Sequence, residues 1–365
     1  MQVTQATSST QPNFVILLMD DVGYGDITSF WNPNNMSAST PFIDHMASNG
    51  ISAPSRASLL TARLGARTGL NNIPYPSTRG GLPINETTFG ETFSKAGYKT
   101  GMIGKWHVGV QGDFHPNSRG FDFYTGLLYS PDMGCADEKG YSLSSPDICP
   151  NDWHEIPGYS DFNCYLCPIR TGNVDYQALP LLNGRKVVEQ PLNMTNLSLR
   201  YTKAAEVFIK DRETTTPFIL YVGLQHMHVP FFIMPEFAGK SARGDAYGDA
   251  LLEMDWVIDT IVKVIEDNGE AENTLIWVTR GGGSASKHTV WEGGHRMPAL
   301  AYWPGTIEGG RVSDELVSMM DIYPTIASLA GIDMPGNRIY DGIDISNILL
   351  DKPFSSKNRV RICFL

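Results

Sequence analysis

Residues 13–21 read Asn-Phe-Val-Ile-Leu-Leu-Met-Asp-Asp, an apolar run that ends in two adjacent carboxylates. Such an uninterrupted apolar run is typical of a strand that is buried on both faces of a parallel sheet. The apolar part, residues 14–19, is the longest in the chain and is far shorter than the roughly 20 residues that span a bilayer. The stretch therefore predicts a central core strand, and the sequence predicts no transmembrane segment.

Short apolar runs and helical patterns alternate along the rest of the chain. Strand-like runs occupy 100–104, 218–224, 274–279 and 299–303. Helical patterns occupy 40–50, where Thr40-Pro41 forms the start and Gly50 the stop, and 248–268, where apolar residues recur at helical spacing. This alternation predicts an α/β fold in which a mostly parallel mixed sheet is sandwiched by helices.

Ionisable residues follow three of these strands. Asp20-Asp21 follows the first, Lys105-Trp106-His107 the second and His226-Met227-His228 the third. Ligands bind at the carboxyl ends of parallel strands, so these groups indicate a site. Two carboxylates about 4 Å apart repel by roughly 4 kcal/mol at an effective dielectric of 20, and a bound Ca²⁺ or Mg²⁺ relieves that cost. The alternative is a turn or helix-capping carboxylate pair.

Composition narrows the classes of partner and compartment. The net charge of −11 and pI near 5.2 disfavour nucleic-acid binding.

Four cysteines that lie close together in the sequence predict two disulfides, with half a zinc site as the alternative, and Cys363 is expected to be free. The clustered residues are Cys135, Cys149, Cys164 and Cys167. Glycosylation sequons, which fit a lysosomal or secreted protein, lie at Asn35, Asn85, Asn193 and Asn196. Residues 1–11 are a polar tail without the apolar core of a leader.

The stretch 52–61, Ser-Ala-Pro-Ser-Arg-Ala-Ser-Leu-Leu-Thr, carries the most specific pattern. Pro54 near the start of an apolar helical run places Ser52 at a helix N-terminus, where an anion is favoured. The stretch resembles the sulfatase signature Cys-x-Pro-Ser-Arg followed by Leu-Thr-Gly, whose Cys becomes formylglycine. Further blocks resemble the family in its own order: MDDVGYGD, STRGGLP, GYKTGMIGKWHVG, HMHVP, KHTVWEGGHRMPALAYWPG and MDIYPTIASLAG.

The resemblance implies an alkaline phosphatase-like sulfatase fold. It implies one catalytic-type domain over 12–350, with a cysteine-containing excursion at 131–192. Residues 351–365 would be the truncated start of a C-terminal subdomain. The implied cofactor is Ca²⁺, bound weakly or absent in this chain, and the implied partner is a sulfated small molecule, lipid or glycan. The oligomeric state is left open.

The resemblance also implies roles for individual residues. Asp20, Asp21 and the nucleophile position Ser52 match metal ligands, and Arg56 matches the residue that holds both nucleophile and metal site. Lys105 and Lys287 match the lysines that neutralise sulfate oxygens, and His107 the residue that steadies the nucleophile. His228 resembles the histidine beside the leaving-group oxygen, and Ser130 resembles a substrate-side serine. Taken singly, each would be an ordinary solvated or structural residue.

Three departures from the family pattern bear on catalysis. Ser52 replaces the expected Cys. The family's Asp-Asn-Gly after the strand at 274–279 is replaced by Arg280-Gly281-Gly282-Gly283, so that a cation stands where metal ligands are expected. The family's strand between Asn49-Gly50 and the signature is also missing. These losses keep three functions open: hydrolysis of sulfate esters, an impaired sulfatase isoform or pseudoenzyme, and a phosphatase or phosphodiesterase of the wider superfamily.

Overall fold

The computed structural model describes residues 11–22, 52–134, 178–228, 230–281 and 297–353. Several expectations lie outside these ranges: the helix at 40–50, the five cysteines, Lys287 and the missing strand before the signature. The side chain of Ser52 is also outside the described part, although its backbone belongs to a helix.

Within the described residues, eight strands form one mixed sheet in the order β5-β4-β3-β2-β6-β1-β7-β8. The five strands from β3 to β7 in that order run parallel, whereas the edge pairs β3–β4, β4–β5 and β7–β8 are antiparallel. The strands are β1 (Asn13–Asp20), β2 (Lys99–Lys105), β3 (Phe123–Leu127), β4 (Leu181–Asn183), β5 (Lys186–Glu189), β6 (Phe218–Gly223), β7 (Thr274–Gly281) and β8 (Ala299–Tyr302). The predicted mostly parallel mixed sheet is confirmed.

Helices cover both faces of the sheet. They are α1 (Ser52–Thr61), α2 (Gly65–Thr68), α3 (Phe89–Lys95), α4 (Leu197–Lys210), α5 (Ala246–Asp267), α6 (Ile322–Ala330) and α7 (Ser346–Leu349). Arg56 of α1 contacts Tyr221 of β6, whereas Phe208 of α4 lies against Gly101 and Leu220. Adjacent strand residues point to opposite faces, so α1 and α4 cover opposite sides. Short 3₁₀ turns occupy Gly112–Phe114, Pro116–Ser118, Pro131–Met133, Met194–Asn196, Ala271–Asn273 and Met319–Asp321.

The first strand lies in the middle of the core, as its composition predicts. Residues 14–18 have no exposed surface, and the strand pairs with β6 on one side and β7 on the other. A strand with neighbours on both edges and helices on both faces has no room for polar side chains until it ends. Asp20, at that end, is the first ionisable residue that the strand can carry.

The hairpin β4–β5 extends the sheet inside the range that the sequence analysis assigned to an irregular excursion. Its two strands have only three and four residues, too few to show a periodicity. The two-residue turn is Gly184-Arg185, with Gly184 at φ 55°. Glycine at the first central position of a two-residue loop is a hairpin signal, and it could have identified these strands.

No helix in the described ranges has both the length and the apolar character needed to cross a membrane.

A buried histidine outside the site makes stability depend on pH. His115 is 3% exposed, its Nδ1 accepts a hydrogen bond from the Asn117 backbone N–H, and burial lowers its pKa to about 4. The unfolded chain, with a pKa near 6.5, takes up this proton first, so the stabilisation is complete above about pH 6.5 and is lost as pH falls toward about 4. We expect the free energy of unfolding to decline over that range, and to decline less in His115→Asn, which keeps an acceptor. Urea unfolding of both proteins at several pH values tests this. The same dependence of the free energy of unfolding on pH in the wild type and in His115→Asn would contradict it.

Candidate active site

A buried ion-paired cluster lies at the carboxyl edge of the sheet. Lys105 ends β2 and Asp20 ends β1, and Lys105 Nζ lies 2.6 Å from Asp20 Oδ2. Arg56, one turn into α1, places Nη2 3.4 Å from the same oxygen. All three side chains are at most 1% exposed. We call these three residues the Asp20 cluster; its two buried cations, Lys105 and Arg56, can attract an anionic ligand.

Arg56 connects the helix to two strands. Its Nη1 donates to the backbone carbonyl of Lys105 at 2.5 Å and to the hydroxyl of Tyr221 at 3.1 Å. These bonds fix the N-terminal turn of α1 over the ends of β2 and β6. Because Ser52 begins that helix, its backbone is held at the same edge of the sheet, where the helix dipole also favours an anion.

The end of β6 must be glycine for the cluster to form. A Cβ at Gly223 would lie 2.7 Å from Arg56 Nη1 and 2.6 Å from the Lys105 carbonyl oxygen. The adjacent Gly104 has φ 92°, and a Cβ there would lie 2.1 Å from the Gly223 carbonyl oxygen. The two glycines therefore let β2 and β6 approach closely enough for Lys105 and Arg56 to share Asp20 across β6.

We expect Gly223→Ala to destabilise the protein by about 1–3 kcal/mol, because backbone atoms cannot yield to the added methyl group. The variant should also bind sulfate less tightly, since Arg56 must move. Gly80→Ala is the matched control, because nothing lies within 4 Å of a Cβ at that position. Thermal unfolding and sulfate titration of both variants test this, and equal behaviour would refute the role of Gly223.

Two residues beside the cluster have left-handed backbones. Asp21 has φ 58° and His107 has φ 60°, and both are buried. Non-glycine residues adopt this conformation rarely, and such residues concentrate at functional sites. Burial, with the charges of Lys105 and Arg56, holds the pKa of His107 well below its usual range. His107 is therefore a neutral imidazole.

Ser130 is buried next to the Asp20 cluster. Ser130 follows β3, is 1% exposed, and its Oγ accepts a hydrogen bond from Lys105 Nζ at 3.0 Å. Burial lowers the pKa of Lys105, and the Asp20 carboxylate opposes that shift.

His228, in the turn after β6, is half-buried and close enough to His107 for an electrostatic interaction between the two side chains. The site thus assembles Asp20, Asp21, Arg56, Lys105, His107, Ser130 and His228 from separate parts of the chain.

The strand register corrects the expected position of Arg280. Arg280 pairs with Met19, and Gly281 pairs with Asp20. A Cβ at Gly281 would lie 3.7 Å from Ser55 Cβ of α1, the helix that carries Arg56. Since side chains alternate along a strand, Gly281 occupies the face of the Asp20 cluster and Arg280 the opposite face. The sequence alone indicated a cation among the metal ligands, because strand register cannot be read from periodicity.

The described residues do not by themselves fit a calcium ion. Ca²⁺ takes six to eight oxygen ligands. Within the described ranges, no three Asp, Glu, His or Cys side chains form a group that could hold a metal. Asp20 Oδ2 is moreover engaged by two cations. We therefore assign no catalytic step to a metal.

We expect calorimetric titration with Ca²⁺ to show weak binding, because the cations of Lys105 and Arg56 compete for Asp20. Asp21→Asn should change the result little. An affinity of roughly 10⁻⁷ M or tighter, typical of complete oxygen sites, would contradict this expectation.

Sequence reasoning missed Tyr221 and Gly223. Tyr221 lies inside an apolar run and bears no feature of a site residue, yet its hydroxyl holds Arg56. Both residues lie on the same face of β6, two positions apart, and this face packs against α1. The sequence carries no signal that could have identified them, because β6 is apolar and buried along its whole length.

Comparison with known proteins defines the class. The sulfatase family model matches residues 12–332, which is most of the chain, and the chain belongs to the sulfatase family. It is similar to arylsulfatase G of Rattus norvegicus, with 40% identity over 387 residues that cover 96% of this chain and 71% of the relative. Arylsulfatase A of Homo sapiens is 37% identical, over 93% of this chain and 68% of the relative. These relatives are sulfuric ester hydrolases.

A solved structure agrees with the fold. The PsFucS1 sulfatase from Pseudoalteromonas sp. matches with a TM-score of 0.72 and 28% identity, over 93% of this chain and 72% of that one. The arylsulfatase G alignment spans 387 positions, more than the 365 residues of this chain, so the relative has residues without a counterpart here. The alkaline phosphatase-like sulfatase fold is thus confirmed.

Proposed function

We propose that the Asp20 cluster binds the sulfate group of a sulfated small molecule, lipid or glycan, and that the ester is cleaved by a formylglycine-type nucleophile at position 52. One observation carries the proposal: two buried cations, Lys105 and Arg56, adjoin the helix that begins at Ser52. Membership of the sulfatase family supports it. Sulfate esters are anionic, so these cations can bind them.

Each residue has a role in this proposal. Lys105, with Lys287, neutralises the sulfate oxygens, and Arg56 holds the cluster and the first turn of α1 together. Asp20 fixes the two cations; with Asp21 and Ser52 it occupies the family's metal-ligand positions, a set that is too small to hold Ca²⁺ by itself. Neutral His107 orients the nucleophile by a hydrogen bond, Ser130 positions Lys105 toward the substrate, and His228 supplies the proton that the leaving alcohol requires.

The serine at position 52 favours a second candidate, an impaired sulfatase. A formylglycine hydrate has two hydroxyls on one carbon, one that attacks sulfur and one that expels sulfate. An unmodified serine has only one. Its oxygen can form a bond to sulfur as the ester S–O bond breaks and the serine proton passes to the alcohol. The product is a sulfated serine that this chain has no second hydroxyl to release.

The substrate class can be tested by comparing an aryl sulfate with the matching aryl phosphate. We expect tighter binding and faster alcohol release with the sulfate, because the described residues offer cations but no two-metal ligand set for a phosphatase. Asp259→Asn, on the exposed face of α5, is the control variant. Faster cleavage of the phosphate would reject the proposal.

A lysosomal or secreted location is part of the same proposal. Among the sequons, Asn85 and Asn196 are exposed, as glycosylation requires. Asn193 is half-buried, and its side chain accepts a hydrogen bond from the Asn196 backbone.

A further inference from the structure

Asp132 is a carboxylate beside the Asp20 cluster that has no role in the proposed hydrolysis. It lies in the 3₁₀ turn Pro131–Met133, which begins directly after Ser130 and is closed by a hydrogen bond from the Met133 backbone N–H to the Ser130 carbonyl at 3.1 Å. The residue is half-buried, but its Oδ1 is fully buried and has no hydrogen-bond partner among the described residues. A buried carboxylate oxygen without a donor is costly, so its presence calls for a reason other than packing.

The turn holds Asp132 near Lys105. Ser130, two residues earlier, accepts a hydrogen bond from Lys105 Nζ at 3.0 Å. Two residues of chain span at most about 7 Å, so Asp132 lies at the same edge of the sheet. Burial is the largest influence on the pKa of Lys105 and lowers it, and the charges of Asp20 and Asp132 oppose that shift. Lys105 forms its ion pair with Asp20, so the charge of Asp132 acts on the ammonium group from outside that pair.

The fixed charges at this edge come from several elements. Two carboxylates follow β1, one lies in the turn after β3, and the two cations end β2 and lie on α1. Among these five described residues, three negative charges accompany two positive ones: Asp20, Asp21, Asp132, Lys105 and Arg56. Neutral His107 and half-buried His228 also lie here. These five charges together do not reward a second negative charge on a ligand.

Sulfate and phosphate esters differ in charge more than in shape. Both groups are tetrahedral and of similar size, so contacts alone separate them poorly. A sulfate monoester carries one negative charge, whereas a phosphate monoester carries nearly two at neutral pH because its second pKa is about 6. The interaction of a ligand with a fixed charge scales with the charge of the ligand. A fixed carboxylate therefore repels the doubly charged ester about twice as strongly as the singly charged one.

We propose that Asp132 is a specificity-determining residue, whose negative charge disfavours doubly charged anions at the Asp20 cluster and leaves singly charged sulfate esters as the preferred ligands. The charge acts through space, so this role requires no donor at Oδ1. Because Oδ1 has no hydrogen bond to lose, Asp132→Asn removes the charge and keeps the shape. The assignment rests on the proposed sulfate site.

Two anions that cannot be hydrolysed test this role: phenylmethanesulfonate, which keeps one negative charge, and benzylphosphonate, which gains a second one as pH rises through neutrality. Calorimetric titration of the full chain at about pH 5.5 and about pH 8.5 gives the ratio of their affinities in the singly and doubly charged states of the phosphonate. We expect the preference of the wild type for the sulfonate to grow with pH. Asp132→Asn should lower that preference by about threefold to tenfold at the higher pH and change it little at the lower.

The ratio of the two affinities separates repulsion from a structural role. A displaced turn, or a weaker charge on Lys105, would reduce the binding of both anions together and leave the ratio unchanged. Asp132→Glu keeps the charge and should keep the ratio. Asp113→Asn is the matched control, because Asp113 also lies in a 3₁₀ turn, Gly112–Phe114, but is exposed. It should behave as the wild type does.

The two proposals fail in different ways. If the sulfonate binds and Asp132→Asn has the ratio of the wild type, or of an equally shifted Asp113→Asn, the assignment of Asp132 is wrong and the sulfate site stands. If the wild type prefers the phosphonate at the higher pH, and Asp132→Asn alone extends that preference, the sulfate site is wrong and the repulsion by Asp132 stands. Binding of neither anion overturns both.

Discussion

Asp20→Asn is expected to lower the free energy of unfolding by about 3–5 kcal/mol, the usual cost of removing one partner of a buried ion pair. The substitution preserves shape but leaves Lys105 and Arg56 without their shared carboxylate in a site with at most 1% exposure. Either the two cations remain buried and repel each other, or Lys105 loses its proton. Both outcomes disturb the first turn of α1, so sulfate binding should fall as well.

Urea unfolding measures this effect, and a double-mutant cycle assigns it. Asp20→Asn combined with Lys105→Met removes both charges and should recover part of the loss, which gives a favourable coupling energy between the two residues. The surface pair Lys263–Asp259, at 2.5 Å but about half exposed, is the matched control. Asp259→Asn should cost less than about 1 kcal/mol. A loss below that value for Asp20→Asn would mean that the cluster is not held as an ion pair.

The second large effect concerns turnover. We expect purified chain with an unmodified Ser52 to release at most one equivalent of alcohol from excess aryl sulfate, and then to stop. The Asp20 cluster can hold the ester and Ser52 can accept the sulfuryl group once. The sulfated serine then lacks the second hydroxyl that drives elimination in the family's mechanism. A spectrophotometric assay of alcohol release per chain measures this directly.

Two variants separate the causes of this arrest. Ser52→Ala should abolish the single release, since no oxygen remains at that position. Ser52→Cys should not restore turnover by itself, because the described residues lack a complete set of metal ligands. Sustained hydrolysis by Ser52→Cys would show that the nucleophile is the sole defect. Release that is unchanged in Ser52→Ala would place the chemistry elsewhere.

The sequence predicted those parts of the fold that rest on strong patterns. The residues of β1 are uniformly apolar up to Asp20, and α5, predicted at 248–268, is Ala246–Asp267 with Asp245 as its N-cap. Each pattern extends along a whole strand or helix and reflects how that element is buried. Tertiary packing therefore does not override the secondary structure that the pattern predicts. The hairpin β4–β5 was missed because its strands are too short for a period.

Site residues were predictable where a strand end supplied both position and charge. Asp20 and Lys105 meet because β1 and β2 both flank β6, and parallel strands end at one edge. The roles of Tyr221 and Gly223 depend instead on which face of a strand meets which helix. The face of the sheet on which Arg280 lies depends on strand register, which periodicity does not determine. Such residues become visible only once the packing is known.

The most direct test of the account is mass spectrometry of the peptide that contains residue 52, taken from the same sample as the alcohol-release assay. For the impaired sulfatase we expect serine before exposure to aryl sulfate, the added mass of one SO₃ group afterwards, and no more than one alcohol released per chain. For the active sulfatase we expect formylglycine at position 52 and many alcohols released per chain. Many turnovers by a chain whose residue 52 remains an unmodified serine would contradict both.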